Sequence, residues 1–136
     1  MAVYKLRALG TGGTEDSAAS LDIQFEGFIT AIWGAMDADL DTADDTARFE
    51  VSFLSSNTHA VNDARGSLFQ MRLREAQTAA GANMAAVNGG IGGIRVPVLQ
   101  GERIHMHVEA TAGVSSTCQC YLYVEDQSVP AILRRR

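Results

Sequence analysis

Apolar and polar side chains alternate at every second residue through much of the chain, and that period admits strands with one buried face. Leu21, Ile23 and Phe25 interleave with Asp22, Gln24 and Glu26. Phe49, Val51 and Phe53 interleave with Arg48, Glu50 and Ser52. Ile104, Met106, Val108 and Ala110 interleave with Arg103, His105, His107 and Glu109. Cys118, Cys120, Leu122 and Val124 run against Thr117, Gln119, Tyr121 and Tyr123. Both faces of that last run carry apolar bulk, which places it in the centre of a sheet or in an interface. Strands are expected at 2–9, 20–26, 28–34, 47–54, 67–75, 94–99, 102–111 and 116–125. About eight short antiparallel strands with frequent turns make an all-β, two-sheet antiparallel sandwich of jelly-roll or Greek-key type. A single domain over residues 1–136 is expected from the length.

Turn chemistry punctuates the runs. Glu26-Gly27 reads as a tight hairpin joining 20–26 to 28–34, with glycine supplying a positive φ. Gln100-Gly101 precedes the strand at 102–111, and Thr111-Ala112-Gly113-Val114 leads from it to 116–125. Pro97 fits an edge strand or a strand end, because it cannot donate to a ladder. Ser67 to Ala80 contains good helix formers, but Phe69, Met71 and Leu73 alternate with Gln70, Arg72 and Arg74, so a strand is expected. Residues 78–93 (TAAGANMAAVNGGIGG) hold too little side-chain bulk to build a core of their own. A loop of that length tends to be functional. It is read as an extended arm that orders on a neighbouring subunit, with Asn83 and Met84 among its contact residues. Residues 127–136 form a second arm, an apolar stem from Val129 to Leu133 followed by Arg134, Arg135 and Arg136. Its arginines suit an acidic groove on a partner.

Composition narrows the classes. Apolar residues at 46% and charged residues at 20% describe a folded globule, not a disordered chain or a coiled coil. Eleven basic side chains against sixteen acidic ones leave a net charge of −5, the wrong balance for a phosphate-neutralising face, so no nucleic-acid partner is expected. No run approaches the ~18 consecutive apolar residues of a spanning helix, so no membrane is expected either. Met1 to Lys5 does not read as a secretory signal. Lys5 is the one lysine, and arginine, which dominates the basic residues, suits fixed contacts at interfaces. Cys118 and Cys120 sit two apart in a strand and point the same way, so they are expected to be unbridged thiols of a reducing compartment.

Candidate chemistry is sparse. His105 and His107, with Glu109 on the same side, could share a metal, and a mixed site would need Cys118 and Cys120 on that face too. The alternation instead points Ile104, Met106 and Val108 inward and the histidines toward solvent or an interface. The spacing of Gly101 and Glu109 about the histidine pair does not match a cupin motif. Asp37, Asp39 and Asp41 match the first acidic positions of an EF-hand loop, but Thr42 and Arg48 replace its glycine and glutamate. The cluster running to Asp44 and Asp45 reads as an acidic loop between strands. Gly10 to Glu15 lacks the features of a phosphate-binding loop, and no nucleophile elbow occurs. No catalytic residue, metal or cofactor is assigned.

Val96 to Asp126 (VPVLQGERIHMHVEATAGVSSTCQCYLYVED) runs from a Gly turn into an alternating strand, then a Thr/Ala/Gly turn, then a strand ending in aromatics and acids. In this it resembles small virion structural proteins of tailed bacteriophages, of the head-decoration or cement type. The resemblance implies a compact β-sandwich that forms a homotrimer and clamps neighbouring subunits of the major capsid protein. It implies a place on the capsid surface of a virion, after synthesis in the host cytoplasm, and no enzymatic activity. Tyr121 and Tyr123 are candidate anchors for such contacts, since tyrosine is enriched in interface cores. The alternatives are a tail or fibre adaptor, a glycan-binding virion module with Trp33 as a sugar platform, and a small metal-dependent enzyme at His105 and His107.

Overall fold

The computed structural model describes residues 2–11, 18–40, 45–54, 67–74, 83–111 and 113–133. Eight strands follow one another: β1 (Ala2–Thr11), β2 (Ala18–Asp22), β3 (Gly27–Leu40), β4 (Thr46–Leu54), β5 (Ser67–Arg74), β6 (Asn83–Val98), β7 (Arg103–Ala110) and β8 (Ser115–Asp126). A 3-10 turn at Ala131–Leu133 comes after them. Among the described residues no helix is long and apolar enough to cross a membrane.

The strands make two four-stranded sheets, β1-β8-β3-β6 and β2-β7-β4-β5. Every pairing is antiparallel. Among the described strands only β4 and β5 pair with their neighbour in the chain; every other step crosses to the opposite sheet. That alternation of sheets is the jelly-roll pattern, so the expected all-β, two-sheet sandwich of about eight strands is what forms. The β8 strand is central, between β1 and β3, and β6 with Pro97 is an edge.

Several local expectations change. The Glu26-Gly27 hairpin does not exist, because β2 and β3 lie in different sheets. Gly27 does not have a positive φ. It is small because a Cβ there would strike the Glu125 carbonyl, where β3 starts against β8. Nor do β7 and β8 form a hairpin; the turn through Gly113 carries the chain between sheets. Gly101 and Gly113 do adopt positive φ, at 88° and 84°. The loop expected at 78–93 is a strand from Asn83 onward, hydrogen-bonded along β3; residues 78–82 lie outside the described residues. Its lack of bulk misled because an edge strand draws its stability from the neighbour's ladder. The acidic loop is shorter than expected too, since β3 runs through Asp37 and Asp39 to Leu40.

The core fills from facing rows. On the inner side of the first sheet the register aligns Leu6, Cys120, Gly34 and Gly89 across its four strands. Three of those four residues are small. Opposite them stand Phe49, Phe69 and Met71 of the second sheet, the two rings 6.0 Å apart between centroids. A Cβ on Gly34 would come within 2.6 Å of the Phe69 ring and 3.0 Å of the Phe49 ring. Large side chains from one sheet thus occupy the space that the other leaves empty. At one end Tyr4 lies beside Phe25, 6.3 Å between centroids, and its hydroxyl accepts a hydrogen bond from the Gln24 N–H at 3.1 Å. This fastens the connection from β2 to β3.

Gly34→Ala is therefore expected to cost about 1–3 kcal/mol through overpacking. Gly92→Ala, whose Cβ would meet nothing within 4 Å, is expected to stay within about 0.5 kcal/mol of the parent. Urea unfolding of both variants checks the contrast.

Candidate functional site

A strand in a two-layer sandwich normally turns polar side chains to solvent. The outer face of the second sheet is polar in this way, although His105 within it is buried. Arg48 donates from Nε and Nη2 to a single oxygen of Glu109, Oε2, at 2.9 and 2.7 Å. That leaves Oε1 of Glu109 for His107 Nε2, at 3.2 Å. Gln70 donates to Glu50 at 2.6 Å, and Arg103 to Asp22 at 2.9 Å. Burial alone would raise the Glu109 carboxyl, but the hydrogen bonds and charges of Arg48 and then His107 outweigh it and hold the group below its ordinary value. Asp22 is lowered chiefly by its hydrogen bond from Arg103.

The outer face of the first sheet is different. Its register sets Val3, Tyr123, Ala31 and Gly92 in one row. The next outward row is Lys5, Tyr121, Trp33 and Gly90. Trp33 is 45% exposed and Val3 54%. The ammonium of Lys5 lies 5.6 Å from the centre of the Tyr121 ring, a cation–π contact. The Tyr121 hydroxyl donates to Gln119 at 3.2 Å. A Cβ on Gly90 would strike the Ile32 carbonyl oxygen and come within 3.0 Å of both the Cα and the ring of Trp33.

Beside this row β6 bulges. Ile29 pairs with Val96 and Ala31 with Gly92, so Thr30 faces three residues of β6, and Gly93 takes a φ of 69°. A cleft of about 310 Å³ opens there, lined by Ala31, Trp33 and Tyr123 on one side and Gly90, Ile91 and Gly92 on the other, with Ile32 between. Ile91 is 44% exposed. The surface is aromatic and aliphatic, built on two central strands, and its chemistry is burial of apolar groups.

Of the residues singled out from sequence, Tyr121 and Tyr123 stand on this face, half-buried. Asn83 and Met84 do not join them. Their backbones pair with Leu40 and Asp39 at the other end of β6 from the cleft. Arg134, Arg135 and Arg136 lie outside the described residues. Trp33, read from sequence only as a candidate sugar platform, stands here too, as alternation carried through Ile32, Gly34 and Met36 requires; Gly90 and Gly92 carry no sequence signal for this face.

The metal candidates come apart. His105 points away from the core, as alternation requires, yet it is fully buried instead of facing solvent. Ser20 and Ser52 flank it in register, and His107 stacks on it at 6.5 Å between centroids. Cys118 and Cys120 are buried on the inner side of the opposite sheet, so no site can combine them with the histidines. They are unbridged. Burial pushes both thiols up to about 12, with the charge of Asp37 adding to the effect at Cys118. The acidic cluster divides: Asp37 and Asp39 belong to β3, Asp45 is buried, and 41–44 lie outside the described residues. Among the described residues no three His, Cys, Asp or Glu side chains are placed to hold a metal ion.

No family model matches the chain, and no curated protein matches it. Among solved structures the chain is similar to one described as Eiger TNF from S. frugiperda, at 13% identity and a TM-score of 0.45, over 93% of this chain and 97% of that one.

Two measurements follow from the electrostatics. Because folding lowers Glu109, its contribution is present above the ordinary glutamate value of about 4.3 and is lost as pH falls through the lowered one. The melting-temperature gap between the parent and Glu109→Gln should therefore be constant at neutral pH and close in acid, with a ceiling of about 1 kcal/mol for an exposed pair. The two cysteines should resist a thiol reagent in the native state at pH 8 and react together on unfolding.

Proposed function

We propose that this protein is a non-enzymatic structural component of a virion. In this reading it is a capsid decoration protein that binds neighbouring capsid subunits through the outer face of its first sheet and so stabilises the head. The observation that carries the reading is the stripe of Trp33, Tyr121 and Tyr123 on β3 and β8, with Val3 and the cleft beside it. Aromatic side chains dominate the centres of protein interfaces because they bury large area with few torsions to freeze. Central strands hold them in place before any partner arrives, which lowers the cost of association. Many modest contacts repeated over a lattice then act together. The resemblance of Val96 to Asp126 to head-decoration proteins supplies the kind of partner, the major capsid protein, and the homotrimer as the expected assembly.

A triple variant, Trp33→Ser with Tyr121→Ser and Tyr123→Ser, tests it. Wild-type protein is expected to bind undecorated capsids and raise their melting temperature. The variant should lose at least tenfold in affinity, since aromatic anchors at interface centres cost about 2 kcal/mol or more when truncated. Binding that the triple variant leaves unchanged would refute the assignment of the surface, and a wild-type protein that ignores capsids would refute the assignment of the partner. The exposed indole of Trp33 favours one second reading, a glycan-binding virion module, which retention of the wild-type protein on immobilised sugar would support.

A further inference from the structure

The 3-10 turn after β8 carries an apolar knob. Ile132 is 91% exposed and Leu133 44%. The stem beneath them is fastened. Val129 is buried and its N–H donates to Glu26 Oε2 at 3.3 Å. The Gln127 N–H donates to the Glu26 carbonyl at 3.4 Å, and its side chain accepts from Arg95 at 3.2 Å. The knob therefore leaves the sandwich at a defined point, and its Ile132 is almost wholly uncovered. The same chain holds an apolar cleft that its own knob does not enter.

We propose that Ile132 seats in the Trp33 cleft of a second copy of this chain, so that copies join head to tail. The inference rests on reading the outer face of the first sheet as an interaction surface, but not on the capsid as partner. Three observations favour a second copy as the occupant. First, the shapes agree. The cleft is about 310 Å³, at the small end for ligand pockets. Its side-chain walls are Trp33 and Tyr123, the backbone of Gly90 to Gly92 closes the edge side, and at Gly92 there is open space where a Cβ would stand. A branched aliphatic side chain suits such a space. Second, the lining is apolar and offers few groups to orient a polar ligand. Third, the charges agree. Three arginines follow Leu133 in the sequence. Glu125, two residues beyond Tyr123 on the same face of β8, is exposed, as is Asp126. A contact of this kind is heterologous: knob and hole are different surfaces, and copies close into a ring or extend as a filament. A ring of three is the homotrimer expected of a decoration protein.

The test uses the full chain and two variants. Ile132→Asp destroys the knob at a site too exposed to disturb its own fold. Gly92→Val fills the cleft where the backbone leaves room. Trp33 is the sole tryptophan, so its emission reports cleft occupancy. Over a concentration series followed by sedimentation, wild-type protein should self-associate as its emission moves to the blue. Each variant alone should associate about ten- to a hundredfold more weakly, the range for losing one buried aliphatic contact. An equimolar mixture should form one-to-one heterodimers, because I132D keeps its cleft and G92V keeps its knob. Wild-type protein that stays monomeric with unshifted emission overturns the proposal. So does self-association that I132D leaves intact, or a mixture that fails to complement. Wild-type protein that self-associates and complements in this way yet ignores capsids supports the contact and overturns the capsid reading alone.

Discussion

The architecture depends on the approach of two sheets at Gly34. There the first sheet contributes almost no side-chain volume, and Phe49 and Phe69 of the second sheet fill the space. Cys120 and Gly89, in the same row, keep the neighbouring positions small. Close packing of this kind fixes the face that β3 presents, since a slip of one residue would reverse every side chain on it. With Gly34 inward, Trp33 must point outward. One register therefore determines both the tightest part of the core and the most conspicuous residue on the surface.

Alternation is a local property, and what it controls was legible. It located β4, β5, β7 and β8 to within a residue or two, turned Cys118 and Cys120 inward, and put Tyr121 and Tyr123 on the opposite face. Which strands pair is not local. Glu26-Gly27 has the composition of a hairpin turn, yet Gly27 is needed for backbone clearance against Glu125 and the chain moves to the other sheet. The segment from Asn83 to Gly93 has no alternation to read, because glycines occupy both faces of an edge strand. Gly89 faces Met71 and Gly90 lies beside the Trp33 indole, so the absent side chains belong to the packing. Burial at His105 was illegible for a related reason: a face can be inferred from the period, but what covers it cannot.

The two outer faces differ in chemistry. On the second sheet Arg48, Glu109 and His107 satisfy one another, as do Arg103 and Asp22. A partner docking there would strip water from ion pairs already made, with little to gain in return. On the first sheet the groups near the cleft are aromatic or aliphatic, and each gains by being covered. Lys5 over Tyr121 is the one charge that row carries among the described residues. Polar saturation of one face and apolar exposure of the other are why the proposed partner contact is assigned to the first sheet.

Rigidity decides how that surface can work. Trp33, Tyr121 and Tyr123 belong to strands with a hydrogen-bonded neighbour on each side, so little of their conformational freedom remains to be lost on binding. A disordered arm would have to lose that freedom at the moment of contact. The stem bearing Ile132 is intermediate: its base is held by Glu26 and by burial of Val129, while its tip is free of the sandwich. In the proposed contact, a preformed socket and a half-anchored plug on one chain would reduce the entropic cost of joining copies from both sides. If copies join in this way, each contributes modest area and the assembly holds through their number.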